Sequence, residues 1–360
     1  MIWKRLKKKK TALAGLGIIL IAVIIAVFAY LIAPDHTPNA DRQSVEIQAK
    51  KPGYKQIFLR IKKEKKVDNV GFILRLVSGQ EDPYTWIPIT SQIKKGDSII
   101  VQKYVDEDTT VTQAYAISLL TGRNNDELDN LVVTKTFWLG TDRFGRDILS
   151  RLIIGVRVSL AVGLITVIIS LTIGILLGAI AGYFRGWVDE IIMWLINVIW
   201  SIPTLLLVFG ITLALGKGFW QVFIAVGLTM WVTVARIIRG QVIALRELEY
   251  IQAAKALGLK DARIIARHIL PNVIGPVIVI AASNFATAII IEAGLSFLGV
   301  GVQPPQPSWG LMIKENYNFI ITNNPMLALT PGIAIMLLVL AFNLLGNGLR
   351  DALDVRQSTV

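Results

Sequence analysis

The chain of 360 residues is 54% hydrophobic, 17% charged and free of cysteine, with a mean hydropathy of +0.59 and a net charge of +12. Its apolar residues gather in runs of about 20, the length that crosses a hydrocarbon core, so the composition excludes an ordinary soluble domain, in which roughly a quarter of residues are charged. It also excludes disulfides, thiolate zinc sites and a cysteine nucleophile. With His36 and His268 the only histidines, no metal site is expected, and a basic excess that flanks apolar runs speaks for lipid headgroups rather than nucleic acid.

Residues 1–10 hold six basic residues and no acid, and an apolar run follows from Ala12 to Ala33. The run exceeds the apolar core of a signal peptide, about 7–15 residues, and leads into Pro34-Asp35-His36 without a small-residue cleavage site. Residues 1–33 are therefore predicted to form a cytoplasmic N-terminus and an uncleaved first membrane helix. Residues 34–136 are polar, with fifteen Lys or Arg against fourteen Asp or Glu. Runs at Val70–Val77, Ser98–Val105 and Thr110–Ile117, separated by turn residues, predict a small strand-rich extracytoplasmic insertion.

Residues 137–360 hold five further apolar spans, near 157–182, 190–215, 219–239, 272–298 and 327–349. The loops 216–218 and 299–326 carry only Lys217 and Lys314, while basic residues cluster around 183–189, 240–271 and 350–360. That bias places the latter three segments, and the C-terminus, in the cytoplasm. Arg143, Arg146, Arg151 and Arg157 fall on the outer side, where a long translocated segment largely escapes the rule. Asp142, Arg143, Arg146 and Asp147 are expected to pair with one another on an interfacial helix rather than to touch solute. The overall expectation is an all-α polytopic membrane protein with six transmembrane helices and a small β-rich insertion.

Within the spans, Gly174 and Gly178 form a small-xxx-small pair suited to close helix packing. Asn197, Ser201, Asn284 and Asn343 are candidate interhelical hydrogen-bonding groups. Pro203 should break its helix mid-span, which is tolerable beside a cavity or a neighbouring helix. Glu292 either lines a pathway, as ionisable groups at membrane depth usually do, or is solvated at the helix end. Ser201, Pro203, Asn284 and Glu292 are thus the candidate pathway or gate residues.

The loop 240–271 is the most informative segment. Leu245 to Leu257 reads as a short amphipathic helix, with Ala253 and Ala254 small enough for a partner's backbone to approach. Gly258 stands where a helix ends in the left-handed conformation that glycine adopts cheaply. A second short helix is expected from Asp261, and Pro271 marks entry to the next span, where a missing N–H costs little. These features alone also suit a linker lying on the membrane surface. The full spacing, Glu249-Tyr250-Ile251-Gln252-Ala253-Ala254-Lys255-Ala256-Leu257-Gly258 followed by His268-Ile269-Leu270-Pro271, resembles the EAA loop of bacterial ABC importer permeases. One residue departs from that motif: Gln252 stands in place of its leading Glu.

Two other stretches are similar to the C-type permease subunits of dipeptide, oligopeptide and nickel importers. They are Trp138-Leu139-Gly140-Thr141-Asp142-Arg143-Phe144-Gly145-Arg146-Asp147 and Gly294-Leu295-Ser296-Phe297-Leu298-Gly299, the latter continuing to Gly310. The resemblance spans about 137–356 and includes Ile202-Pro203-Thr204; residues 34–136 lie outside it. By itself the segment 294–310, with Pro304, Pro305 and Pro307, is a rigid loop, either a static plug or part of an outer gate or dock.

The resemblance implies a MetI-like ABC importer permease fold in the bacterial cytoplasmic (inner) membrane, a non-catalytic subunit importing di- or oligopeptides or, alternatively, nickel or another small solute. It implies a second homologous permease, two ATPase subunits that bind the ATP and Mg, and an extracytoplasmic solute-binding protein. In that family the loop docks on the ATPase, which assigns coupling to Tyr250, Gln252, Ala253, Ala254, Leu257, Gly258, His268 and Pro271. The sequence has no GxxxxGK[ST] phosphate loop, since Gly216-Lys217 is followed by Gly218. A secondary transporter or channel would call for repeats and intramembrane charge pairs, and an intramembrane enzyme for an acid pair, a Ser/His dyad or HExxH; neither pattern stands out.

Overall fold

The computed structural model describes residues 5–64, 67–117, 131–321 and 324–353. Among the described residues, five helices are long and apolar enough to cross a membrane: α1 (Lys10–Val27, followed by the short α2, Ala29–Ile32), α4 (Ile148–Phe184), α7 (Phe219–Arg246), α10 (Leu270–Leu298, entered through Asp261) and α12 (Met326–Leu353), with the short α11 (Trp309–Asn316) between the last two. Between α4 and α7 lie α5 (Gly186–Trp200) and α6 (Thr204–Leu215), bent by 92° at their junction, so that the pair makes a sixth span if counted as one. The predicted span 190–215 is thus two helices. Pro203 has no N–H to continue the ladder and clashes with the preceding turn, while the Ser201 hydroxyl donates back to Val198 O (2.7 Å).

The chain divides into two compact units. One comprises Met1–Val23, Ser159–Gln303 and Ala334–Val360. Its centre is α7, from which Val222, Phe223, Val226, Trp231, Val234, Ile238 and Val242 are all buried. The α4 face toward α7 is glycine: a Cβ at Gly174, Gly178 or Gly182 would overlap Val234, Ala235 or Val242. Gly174 and Gly178 were legible as a packing pair; Gly182 extends the stripe by one more turn. Near the chain ends, Gly15 lies against Ala341 and Gly348 against Ala12, and Lys9 Nζ pairs with Asp351 at 2.9 Å. The start of α1 and the end of α12 therefore share one face of this unit.

The other unit comprises Ile24–Val158 and Pro304–Ile333. It is built on a five-stranded antiparallel sheet in the order β4-β3-β2-β1-β5, with β1 at Tyr54–Lys62, β2 at Tyr84–Lys95, β3 at Ser98–Tyr104, β4 at Thr110–Ala116 and β5 at Val132–Phe137. Adjacent residues on a strand face opposite ways, and both faces of β1 are used. Leu59 packs with Ile89, Ile99, Val101, Ile117 and Leu131, whereas Phe58 packs with Ile47 and Phe137. The strands predicted at 98–105 and 110–117 are present.

The run Val70–Val77 is not a strand. Phe72–Ser78 forms a helix (α3), because Phe72, Ile73 and Leu74 follow one another without the period-two alternation a strand needs. Gly79, at φ +79°, ends the helix by donating its N–H to Arg75 O.

The segment 142–147 is also corrected. No helix forms there: Thr141 bridges Asp147 across a tight turn, with Gly145 at φ +71°. Asp142 and Arg146 do pair, Nε to Oδ2 at 2.6 Å, but Arg146 also reaches Glu315 (2.6 Å) and Asp41 (3.2 Å). The Arg151 guanidinium stands 3.7–4.0 Å from the same three carboxylates. Arg143 stacks on Phe144 instead. Burial works against the Arg146 charge, yet Asp142 and Glu315 raise its pKa above the ordinary value. Asp147 faces Lys135 at 3.9 Å; burial pushes the Asp147 carboxyl up and the Lys135 amine down, each opposed by its partner.

Candidate functional site

The polypeptide leaves α7 at Arg246, turns at Glu247-Leu248, and enters α8 (Glu249–Ala256). The predicted continuous helix from Leu245 to Leu257 is therefore interrupted: Leu248 adopts an extended conformation (ψ 142°) as the N-cap of α8, and Glu249 places an acid in the first turn, where the helix dipole favours it. At the other end Gly258 takes φ +76°, as its position predicted. Leu259 N donates to Ala254 O (3.2 Å) and Gly258 N to Lys255 O (3.0 Å), the paired bonds of a Schellman cap.

Helical spacing sorts the residues of α8 onto two faces. Ile251 and Ala254, three apart, are buried against Ile238, Val242, Ile264, Ile269 and Val273. Tyr250, Ala253 and Leu257, at i, i+3 and i+7, face outward; Leu257 is 81% exposed. The two alanines thus do different work. Ala254 closes the contact with the chain's own helices, and Ala253 leaves a shallow place between two large exposed side chains.

Gln252 Nε2 donates to Arg246 O at 2.9 Å, satisfying a carbonyl that the end of α7 leaves without a helical partner. A glutamate here could not donate, so the departure from the motif has a structural use. Replacing Gln252 by Glu should remove about 1 kcal/mol from the turn. The expected readout is an increase of about five-fold in hydrogen exchange at the Ile251 and Gln252 amides, both of which donate to Leu248 O.

Beyond Gly258, the short α9 (Asp261–Ile264) and a π-turn (Ile265–Ile269) lead into α10, with Pro271 in its first turn as predicted. The Asn272 amide donates to His268 O (2.6 Å) and to the Tyr250 hydroxyl (3.3 Å), so one side chain joins both halves of the loop. The loop is also bound to the end of α4: Tyr183 OH donates to Asp261 Oδ1 at 2.6 Å, and Arg246 Nη1 to Tyr183 O at 2.5 Å. Arg239 of α7 holds Asp189 of α5 in a bidentate pair, with Nη2 to Oδ2 at 2.7 Å. Sequence reasoning missed Tyr183, Asp189, Arg239, Arg246, Asp261 and Asn272 as loop anchors. The available signal was charge: Asp189 and Arg239 each stand beside an apolar span.

The pathway candidates do not converge. Asn284 is buried, donates to Ser170 Oγ at 3.4 Å, and borders a cavity of about 600 Å³ with Thr233, Gln241, Pro276 and Ser283. Glu292, 1% exposed, accepts a bond from Ser296 Oγ (2.6 Å), and Ser296 Oγ in turn accepts from Val302 N (3.0 Å). Glu292 thus helps fasten the turn that follows α10, and it is not solvated at the helix end. Ser201 and Pro203 sit at the α5–α6 bend. Of the four amide and hydroxyl candidates, Asn284 alone bonds across helices among the described residues; Asn197 and Asn343 are exposed.

Comparison with known proteins completes the picture. The family model for "Binding-protein-dependent transport system inner membrane component" matches residues 174–359, and that for "N-terminal TM domain of oligopeptide transport permease C" matches residues 1–52. The dipeptide transport system permease protein DppC of Alkalihalophilus pseudofirmus is 40% identical over 287 residues, covering 78% of this chain and 94% of its own. The glutathione transport system permease protein GsiD of Pectobacterium atrosepticum is 44% identical over 217 residues, 60% of this chain and 72% of its own. Among solved structures, a chain of the MetNI methionine ABC transporter in an inward-facing conformation aligns with 57% of this chain and 98% of its own, at 19% identity and a TM-score of 0.47. On the two family models and the relatives of 40% and 44% identity, the chain belongs to the binding-protein-dependent transport system inner membrane components, as a DppC/OppC-like ABC importer permease.

Proposed function

We propose that this permease imports di- or oligopeptides, with α8 and the turn through Gly258 serving as the grip for a separate ATPase. The observation that carries the reading is the construction of α8. Its inner face is buried in one cluster with residues of α4, α7 and α10, Gln252 and Tyr250 bond it to α7 and α10, and Tyr250, Ala253 and Leu257 stay exposed. A force applied to that exposed face would reach three membrane helices at once. ATP and Mg belong to two ATPase partners, a second homologous permease supplies the other half of the pathway, and an extracytoplasmic binding protein delivers solute.

The N- and C-termini are cytoplasmic in this reading. The Lys9–Asp351 pair supports their lying on one side, and the six basic residues of 1–10 favour the cytoplasm. Residues 34–136 then face the opposite side of the membrane. Dipeptide and glutathione, the solutes in the names of the two relatives, are both small peptides, which supports a peptide over nickel.

Because the chain has no cysteine, Leu257→Cys gives a single crosslinking position. In the assembled importer it should capture an ATPase subunit with a thiol-reactive crosslinker, and it should be labelled only from the cytoplasmic side. Capture of no ATPase, or labelling from the opposite side, would overturn the coupling role.

A further inference from the structure

Among the described residues outside the membrane helices, α3 presents an exposed apolar surface. None of its seven residues is buried, and Phe72, Ile73, Leu74 and Val77 are 66%, 77%, 53% and 57% exposed. An isolated helix of this length is unstable in water, and four adjacent large apolar side chains form a patch that a soluble surface would not retain. At 3.6 residues per turn, or about 100° per residue, Phe72, Ile73, Leu74, Leu76 and Val77 fill one continuous arc, and Arg75 and Ser78 share the opposite side. The helix is amphipathic, with its apolar side outward.

Its place in the fold says what covers that side. Gln80 N donates to His36 O at 3.0 Å, and Gly79 lies against the ring of Tyr30. Arg157 Nη1 donates to Val77 O (2.8 Å) and Leu76 O (3.3 Å), closing the helix C-terminus, and its guanidinium lies 5.1 Å from the centre of the Tyr30 ring. Tyr30 belongs to α2, which directly follows the membrane helix α1, and Arg157 belongs to α4, at the first residue of the apolar stretch 157–182. The helix α3 is therefore pinned at the level where two membrane helices emerge. Val27, Phe28 and Ile32, at the same end of the first span, are 51%, 41% and 51% exposed. The apolar surface of a lipid-facing span thus continues onto α3.

We propose that α3 is an interfacial anchor: its apolar arc lies at the acyl-chain boundary of the leaflet that residues 34–136 face, with Arg75 directed to the phosphate layer. Such a helix lies in the plane of the interface, apolar side down and basic residue up. The segment 34–136 is then held to the bilayer as well as to the spans, which fixes its height above the membrane.

The test uses the assembled importer in vesicles of phosphatidylethanolamine and phosphatidylglycerol (three to one), on a cysteine-free background. Ile73→Cys carries a bimane probe, with Thr112→Cys on exposed β4 as the reference. Lipid brominated on the acyl chains near the glycerol should quench the Ile73 probe at least three-fold more than the Thr112 probe. Equal quenching at the two positions would overturn the proposal, whether the Ile73 probe is found in water or covered by the second permease or the binding protein. Val77→Cys, on the same arc, provides a second position should Ile73→Cys fail to assemble.

Discussion

Replacing Gly258 by proline is expected to abolish solute uptake while leaving membrane insertion and ATP hydrolysis by the partner subunits in place. Gly258 sits at φ +76°, a region that proline, fixed near −65°, cannot enter. The substitution also removes the N–H that donates to Lys255 O. It further disfavours the helical conformation of the residue before it, Leu257 at φ −74° and ψ 3°. Together these cost about 3 kcal/mol or more. No atom lies within 4 Å of a Cβ built at Gly258, so the loss comes from the backbone and not from overlap. The end of α8 would unwind while Ile251 and Ala254 remain packed. Gly258→Ala should be milder, costing about 1 kcal/mol, since an L-residue tolerates the left-handed region at that cost. Transport and ATPase assays on the reconstituted importer separate the two outcomes; a proline variant that transports normally would remove Gly258 from the mechanism.

Replacing Arg146 by methionine should produce the largest loss of stability in the unit that holds the sheet. The Arg146 guanidinium is shared by Asp142, Glu315 and Asp41, and the first two side chains are 2% and 7% exposed. Removing one partner of a buried ionic group leaves uncompensated charge and costs about 3–5 kcal/mol. Arg151 cannot replace it, because it reaches the same carboxylates only at 3.7–4.0 Å and carries the same burden already. For a unit of this size the change corresponds to a fall of about 10 °C or more in the unfolding midpoint. Trp86 fluorescence within the sheet offers a probe of it. Adding Glu315→Gln should return part of the loss by removing one stranded carboxylate, and a midpoint unchanged by Arg146→Met would show that the cluster contributes nothing net.

What was legible in the sequence follows from which forces are local. Membrane helices are set largely by length and hydropathy, so all five could be found in the sequence, although α4 begins nine residues before, and α7 ends seven residues after, the spans expected at 157–182 and 219–239. Gly258 and Pro271 were legible because backbone conformation at a cap depends on the residue itself. The break between α7 and α8 was not, since nothing in Leu245-Arg246-Glu247-Leu248 forbids a helix; the turn is imposed by the bonds from Arg246 to Tyr183 O and from Gln252 to Arg246 O. Val70–Val77 misled for the opposite reason. Its β-branched and aromatic composition suits a strand, but the order of its apolar residues lacks the period-two alternation, and Arg157, 80 positions away, closes the helix end. Of the charges of 142–147, Asp142 and Arg146 pair as expected, yet their further partners Asp41 and Glu315 come from distant parts of the chain that no local pattern connects.

The glycine stripe of α4 has a mechanical consequence. With Gly174 seated against the Val234 side chain, Gly178 against the Ala235 backbone and Gly182 against Arg239 O and the Val242 side chain over two turns, the bare backbone of α4 packs directly on α7. Axial sliding of α4 along α7 would drive a neighbouring Cβ into a carbonyl at every step, so the two rods must travel as one rigid arm. Flexure in this unit is thereby shifted to its softest joint, the right-angled elbow at 201–203, where the ladder is already interrupted.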